Sequence, residues 1–224
     1  MCYHISKPSV RALKNNFKDG FHIVTDDSER CSGYDHPDLP ATLAFGAEEL
    51  TALEWGLIPA WARDLAHARQ LQNGGLNARD DMMFDRPMFR DSATHRRCLI
   101  WLDGFYEWQH AGKKKVPYHI HMPGGALMAV GGLWSEWRDP LRGVLFRTCA
   151  IVTTAANELM SEIHNTKRRM PFIVGENVRQ IWLEPTRARA DIAAICRPFA
   201  DGILQADPVI AEPEKKEPGQ LDLF

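Results

Sequence analysis

No apolar run in the 224-residue sequence approaches the ~20 residues that a membrane-spanning helix needs. The opening Met-Cys-Tyr-His-Ile-Ser-Lys-Pro has no apolar stretch of signal-peptide length either. These two absences predict a cytoplasmic protein with no membrane partner. No C-x-x-C pair occurs. The cysteines, at 2, 31, 98, 149 and 196, are odd in number and widely spaced, which gives no sign of a disulfide framework or a zinc knuckle. No cofactor and no metal is expected. Neither sign of charge dominates, with 27 Lys and Arg against 29 Asp and Glu. That argues against a surface coated for nucleic acid, while leaving room for one local basic groove. Solenoid-length repeats and long low-complexity blocks are missing as well.

What is present is an ordinary globular balance, 45% hydrophobic and 25% charged, in a chain long enough to build a core without staples. A short helix is expected from Ser9 to Phe17, with Ser9 as cap and Val10, Leu13 and Phe17 on one face. Cys31 to Pro40 is rich in Gly and Pro and is expected to be a loop. Thr51, Leu53 and Trp55 alternate with Ala52 and Glu54, as in a half-buried strand stopping at Gly56. Asp80 to Phe89 is expected to be helical despite Pro87. Five strands follow, RCLIWL, GFYEWQ, PYHIHM, ALMAVGGLW and FRTCAIVTT, joined by hairpin-length Gly- or Lys-rich turns. Helical patterns return at Ala156–Ile163, Glu176–Leu183 and Thr186–Cys196. The predicted fold class is α+β, a single domain with a curled antiparallel sheet or small barrel surrounded by helices. That domain is expected over residues 1–210, with a flexible, polar tail over 211–224.

Cys2 directly follows the initiator methionine. Were Met1 removed, an amine (pKa ~7.7–8.0) and a thiol (~8.5) would sit on adjacent carbons, both partly nucleophilic near neutral pH. Such an aminothiol can condense with an aldehyde: the amine forms an imine and the thiolate closes a thiazolidine with the advantage of intramolecularity. Taken by position alone, Cys2 is equally a small residue near a chain end. Asn77 and Arg79 follow the Gly74-Gly75 turn. Strand alternation places Phe105 and Glu107 on one face and Tyr106 and Trp108 on the other. A Glu among aromatics tends to a raised pKa, as a general acid needs; an exposed strand Glu is the plainer reading. His164 beside Lys167, Arg168 and Arg169 could exchange protons near a phosphodiester, or simply end a helix with positive charge.

In order, these segments resemble the SRAP family, the "SOS response-associated peptidase" proteins. The resemblance rests on Met1-Cys2, Trp55-Gly56-Leu57-Ile58-Pro59 with Trp61, Asn77-Ala78-Arg79 and Pro87-Met88-Phe89-Arg90. It continues through Arg97 to Ile100, Asp103 to Trp108, Ile163-His164 and Arg169-Met170-Pro171. It implies recognition of abasic sites in single-stranded DNA and a thiazolidine cross-link through the N-terminal cysteine. By matching position, Cys2 is the nucleophile, Asn77 holds its amine or the substrate, and Glu107 moves protons. His164 is implied to promote opening of the deoxyribose ring or reversal of the adduct. Arg79 and Arg169 match phosphate-contacting positions, Arg168 adds to the basic track, and Trp61 is implied to be an apolar wall for a base or sugar. The peptidase label implies removal of Met1 rather than general proteolysis, and the DNA partner implies a nucleoid-associated location.

Three departures stand out. The family's usual M-C-G-R start is replaced by Cys2-Tyr3-His4, and its Y-N-V-A-P loop has only Gly33 to Pro37 as a counterpart. His164 and the Arg before Met-Pro are separated by Asn165 to Arg168, a longer turn. The C-terminal Gln220-Leu221-Asp222-Leu223-Phe224 is similar to peptides that dock on the bacterial sliding clamp, with Gln220, Leu221, Leu223 and Phe224 as anchors. Two rival functions use the same residues. One is a thiol hydrolase with Cys2 as acyl nucleophile; the other is a clamp adaptor in which Cys2 is incidental. His119-x-His121 shares a strand face but has no third ligand at metal-site spacing.

Overall fold

The computed structural model describes residues 2–19 and 30–209. In chain order the elements are β1 (His4–Ser6), α1 (Val10–Asn16), β2 (Cys31–Ser32), β3 (Asp38–Thr42), β4 (Thr51–Trp55), α2 (Leu65–Gly74) and β5 (Asn77–Arg79). Then come α3 (Arg90–His95), β6 (Arg97–Leu102), β7 (Gly104–Ala111), β8 (Lys114–His121), β9 (Met128–Arg138) and β10 (Leu145–Ala155). The chain continues through α4 (Glu158–Ile163), β11 (Arg169–Pro171), α5 (Arg179–Leu183), α6 (Arg189–Ile195) and β12 (Gln205–Pro208).

Five strands close a ring: β10 pairs with β4, β4 with β3, β3 with β6, β6 with β9, and β9 with β10 again. Only the β4–β10 pair of that ring is parallel. Beyond the ring, β10 takes β5 alongside residues 151–153 and β11 alongside residues 153–155. A second sheet has the order β12-β8-β7-β1-β2. The expected small barrel is therefore present, with a different membership. The β7–β8 hairpin leaves the run of five strands for the second sheet, and β3 and β4 complete the ring. That hairpin turns on Gly112, whose φ of 64° suits a two-residue connection.

Period-2 alternation explains how the ring strand β6 is covered on both faces. All six residues of β6 are buried. Cys98, Ile100 and Leu102 pack into a cluster with Ile5, Phe105 and Ile120 of the second sheet. Leu99 and Trp101 point the other way, into a cluster with Leu13 of α1, Trp182 of α5 and Ile192 of α6. Each such fully buried side chain is worth about 1.5–3 kcal/mol of transfer free energy. Arg97 secures the helices: its guanidinium donates to the carbonyls of Ala93, Thr94, Trp182 and Glu184, and it is 3% exposed. That arginine belongs to the motif set, but its donors are spent on structure.

The α1 helix is capped as expected, Ser9 Oγ accepting from the Ala12 N–H at 3.1 Å. Two expectations are corrected. Residues 31–40 are not a loop throughout: they hold β2, a 3-10 turn over Gly33–Asp35 and the start of β3. Pro40 is tolerated in β3 because β6 pairs only from Ala41 onward, leaving one edge of that residue without a ladder. Residues 80–89 form successive hydrogen-bonded turns rather than a helix, and α3 begins only after Pro87. The tail over 211–224 lies outside the described residues.

Candidate active site

Cys2 lies at the head of β1, 1% exposed, with its side chain in the cluster between the two sheets. Its carbonyl accepts a hydrogen bond from Asn77 Nδ2 at 2.8 Å. Several contacts hold Asn77 there. Gly75 packs so tightly that a Cβ would fall 2.3 Å from the Leu57 carbonyl oxygen, which no other residue type permits. The Leu76 carbonyl accepts from the buried Trp55 indole at 2.9 Å and from the Ile151 N–H at 3.0 Å. The Trp-Gly-Leu-Ile-Pro segment thus acts as a mould for the strand carrying Asn77. Asn77 Oδ1 is buried and accepts no hydrogen bond among the described residues.

Glu107 and His164 complete the group. Glu107 faces inward with Phe105, as the alternation predicted, and is 6% exposed. His164 Nδ1 stands 3.7 Å from Glu107 Oε1 and 2.8 Å from the Arg169 carbonyl oxygen. A carbonyl can only accept, so Nδ1 carries the hydrogen and Nε2 is the basic nitrogen of the neutral ring. Burial pushes the Glu107 carboxyl up to about 7, against the opposing pull of the Trp108 N–H and the Lys167 charge. Burial lowers the His164 pKa, the Arg169 carbonyl offsetting part of the fall. Burial and the Glu107 charge push the Cys2 thiol well up.

The turn bearing His164 is clamped to β7. Asn165 Oδ1 accepts from the His110 N–H at 3.2 Å, and Asn165 Nδ2 donates to the His110 carbonyl at 2.9 Å. One side-chain amide thus imitates a neighbouring strand, and it does so three residues from Glu107. Arg168 closes the same turn with its N–H on the His164 carbonyl at 2.9 Å, in a left-handed conformation with φ of 47°.

Two recesses flank this centre. On the Asn77 side is a largely apolar pocket of about 440 Å³, lined by Trp61, Asn77, Arg79, Arg86, Met88 and Phe89 among others. Trp61 is 50% exposed, its indole N–H on the Pro87 carbonyl at 3.3 Å. On the Glu107 side is a cleft of about 420 Å³ that includes Tyr3, Glu107, His110, Lys115, His164 and Lys167.

A family model described as SOS response associated peptidase (SRAP) matches residues 8–214. The chain belongs to the SRAP family. Among its relatives is abasic site processing protein YoqW of Bacillus subtilis (strain 168), 34% identical over 178 residues, covering 77% of this chain and 76% of the relative. Abasic site processing protein HMCES of Xenopus tropicalis is 30% identical over 154 residues, 60% of this chain but 45% of that longer protein. A crystal structure of a Bacteroides thetaiotaomicron protein superposes with a TM-score of 0.85 at 29% identity, over 94% of this chain and 93% of that one.

Of the residues singled out from the SRAP resemblance, Cys2, Asn77, Glu107 and His164 come together. Trp61 and Arg79 border the adjoining pocket, Arg79 being held by Asp81 through a paired contact of 2.9 and 2.5 Å. Arg168 is exposed. Arg169 is turned inward: its guanidinium pairs with Asp80 at 2.6 Å and donates to Thr153, while its carbonyl orients His164. Gln220, Leu221, Leu223 and Phe224 lie outside the described residues, as does Met1. His119 and His121 do share a face, stacked at 5.2 Å, where His119 Nε2 meets Ser6 Oγ at 2.8 Å and His121 Nε2 meets Asp207 at 3.0 Å. Among the described residues no group of His, Cys, Asp and Glu suits a metal ion.

Sequence reasoning missed the role of Asn165 and the cleft residue Lys115, whereas the sequence marks Lys167 beside His164. The lysine run was visible only as a hairpin turn. The pairing of Asn165 with His110 spans 55 positions and leaves no local pattern. Tyr34 of the Gly33–Asp35 turn also reaches this region, stacked on Tyr3 at 5.5 Å.

Proposed function

We propose that, once Met1 is removed, this protein captures abasic sites in single-stranded DNA by forming a thiazolidine between Cys2 and the ring-opened deoxyribose aldehyde. The names of its SRAP relatives as abasic site processing proteins support this substrate class. The observation that carries the reading is a buried aminothiol position beside a carboxyl whose pKa lies near 7. An abasic site presents an aldehyde, the functional group an aminothiol captures selectively.

The chemistry follows from the three titratable groups. Neutral His164 takes the proton from the sugar C1 hydroxyl and returns it to the ring oxygen as the ring opens to the aldehyde, ending neutral. The freed Cys2 amine, reference pKa ~7.7–8.0, attacks first, because the thiol is held protonated. The carbinolamine loses its hydroxyl as water, with the proton supplied by Glu107, and a protonated imine results. The sulfur then adds to the imine carbon as its proton passes to the Glu107 carboxylate. One water leaves overall, and Glu107 ends in the protonation state in which it began. The Asn77 amide, holding the Cys2 carbonyl, fixes the amine against the incoming aldehyde.

The same raised thiol weighs against the thiol hydrolase reading, which needs a thiolate as its first nucleophile. A peptidase step is retained only for release of Met1. The C-terminal Gln220–Phe224 is assigned to the sliding clamp, which would bring the protein to single-stranded DNA at the nucleoid.

The test is incubation of the purified protein, lacking Met1 by mass spectrometry, with a single strand bearing one abasic site. A denaturation-resistant adduct that requires both Cys2 and the lesion is expected. Equal adduct from Cys2→Ala, or none from the parent, would overturn the reading.

A further inference from the structure

We infer that a second nucleotide-binding cleft lies away from Cys2, between α1, the start of β9 and α5. It measures about 730 Å³ and is lined by Ser9, Arg11, Asn15, Phe17, Trp101 and Arg179 together with the Gly124–Leu127 turn. None of its lining residues belongs to the Trp61 pocket or the Glu107 cleft. Its size falls within the ~300–1,000 Å³ typical of small-molecule sites.

Among the described residues the lining carries two guanidinium groups and no carboxylate. Arg179 lies over the Trp101 ring, 5.1 Å from its centroid, and Phe17 meets the same ring edge-on at 5.0 Å. That contact fixes the guanidinium plane without using its donors. Arg179 Nε is buried with no acceptor among the described residues, and no ion pair involves Arg179 or Arg11 there. A charged donor held in that state is matched by an anion arriving from outside. The acid beside the cleft is already engaged: Asp103 accepts from the Ser9 backbone N–H. At the opposite wall, Gly124 and Gly125 have φ of 65° and 68°, and a Cβ at either would meet nothing within 4 Å. The main chain there is open to a flat group.

Two unpaired cations, aromatic rings and an open glycine wall suit a phosphate joined to a planar base. That unit is supplied either by the DNA strand some nucleotides from the lesion or by a free nucleotide. The proposal does not depend on Cys2 chemistry, so its test uses lesion-free ligands and the full chain. Calorimetric titrations with deoxyadenosine monophosphate, a 5-nucleotide strand and a 20-nucleotide strand distinguish the sources. If the strand is the ligand, Arg179→Gln and Arg11→Gln weaken the 20-mer several-fold and lower its salt slope by ~0.7 each, as one lost phosphate contact does, while leaving the 5-mer unchanged. If a free nucleotide is the ligand, the monophosphate binds one site and both variants weaken it, with Arg179→Lys recovering part. Should Arg179→Gln fold poorly, the exposed Arg11 carries the test alone. Parental affinity for both the monophosphate and the 20-mer in Arg11→Gln would overturn the proposal.

Discussion

Glu107 and His164 meet at 3.7 Å, and burial moves their pKa values in opposite directions, the carboxyl up to about 7 and the imidazole down. The usual order of an acid and a histidine is thereby reversed, and near neutral pH the carboxyl holds the proton while the ring is neutral. Cross-linking needs a protonated Glu107 and an unprotonated Cys2 amine. Its single-turnover rate should therefore pass through a maximum near neutral pH, with an alkaline limb set by loss of the Glu107 proton. In Glu107→Gln the rate should fall by ~10²-fold, the scale of a lost general acid, and that limb should vanish. Rates measured from pH 5.5 to 9 decide it.

The same carboxyl costs stability. Its folded pKa of about 7 exceeds the ordinary 4.5, so between these values the folded state binds more protons than the unfolded state. Stability contributed by Glu107 is thus lost as pH rises from about 4.5 to about 7, by up to ~3 kcal/mol. Glu107→Gln should raise the urea midpoint at pH 8 and leave it nearly unchanged at pH 4.5. An equal shift at both values would contradict the raised pKa.

Asn165 sets the spacing of the pair without touching it, through its two hydrogen bonds to the His110 main chain. Asn165→Ala should slow cross-linking by ~10-fold through misplacement of His164, with affinity for a lesion-free strand unchanged. Asn165→Gln, one methylene longer, should not restore the rate. A purely structural role would lower Tm and leave the pH profile of the rate intact; the present geometry predicts a shifted profile.

Much of this centre was legible in the sequence. The alternation in Asp103 to Trp108 fixed which side of the strand Glu107 occupies, while Gly74-Gly75 before Asn77 read as a turn and only the fold shows Gly75 packed on Leu57. Ring closure was not legible, because β4 and β10 pair across more than 90 positions and parallel strands need no turn signal between them. The state of the Cys2 thiol was hidden for a related reason: its pKa is set by burial between two sheets, not by its neighbours in sequence. Arg169 had the right type for a phosphate, but only the fold shows that Asp80 claims its guanidinium.

In the proposed function, Asp81 would compete with DNA for Arg79. Asp81→Asn removes that carboxylate and should tighten binding of a lesion-free strand while steepening its salt dependence, both lost on adding Arg79→Gln. Trp61→Ala should weaken the same strand by ~10-fold, the scale of one base stacked on an aromatic ring. Fluorescence anisotropy at two salt concentrations separates the two effects.

The clamp assignment makes an independent prediction. Leu223→Ala with Phe224→Ala should abolish measurable affinity for the purified sliding clamp and leave adduct formation in its absence untouched. Clamp binding equal to that of the parent would end the assignment.

β1 lies between β7 and β2, not at the edge of its sheet. A chain end usually peels away under tension, one contact at a time. Here DNA joined to Cys2 would pull on a strand laced to neighbours on both sides and plugged into the interior by Ile5, which is fully buried. A motor tugging the lesioned strand would have to shear two ladders together before the terminus came loose. The placement of three residues would thus make the proposed point of attachment resist load by shear rather than by peeling.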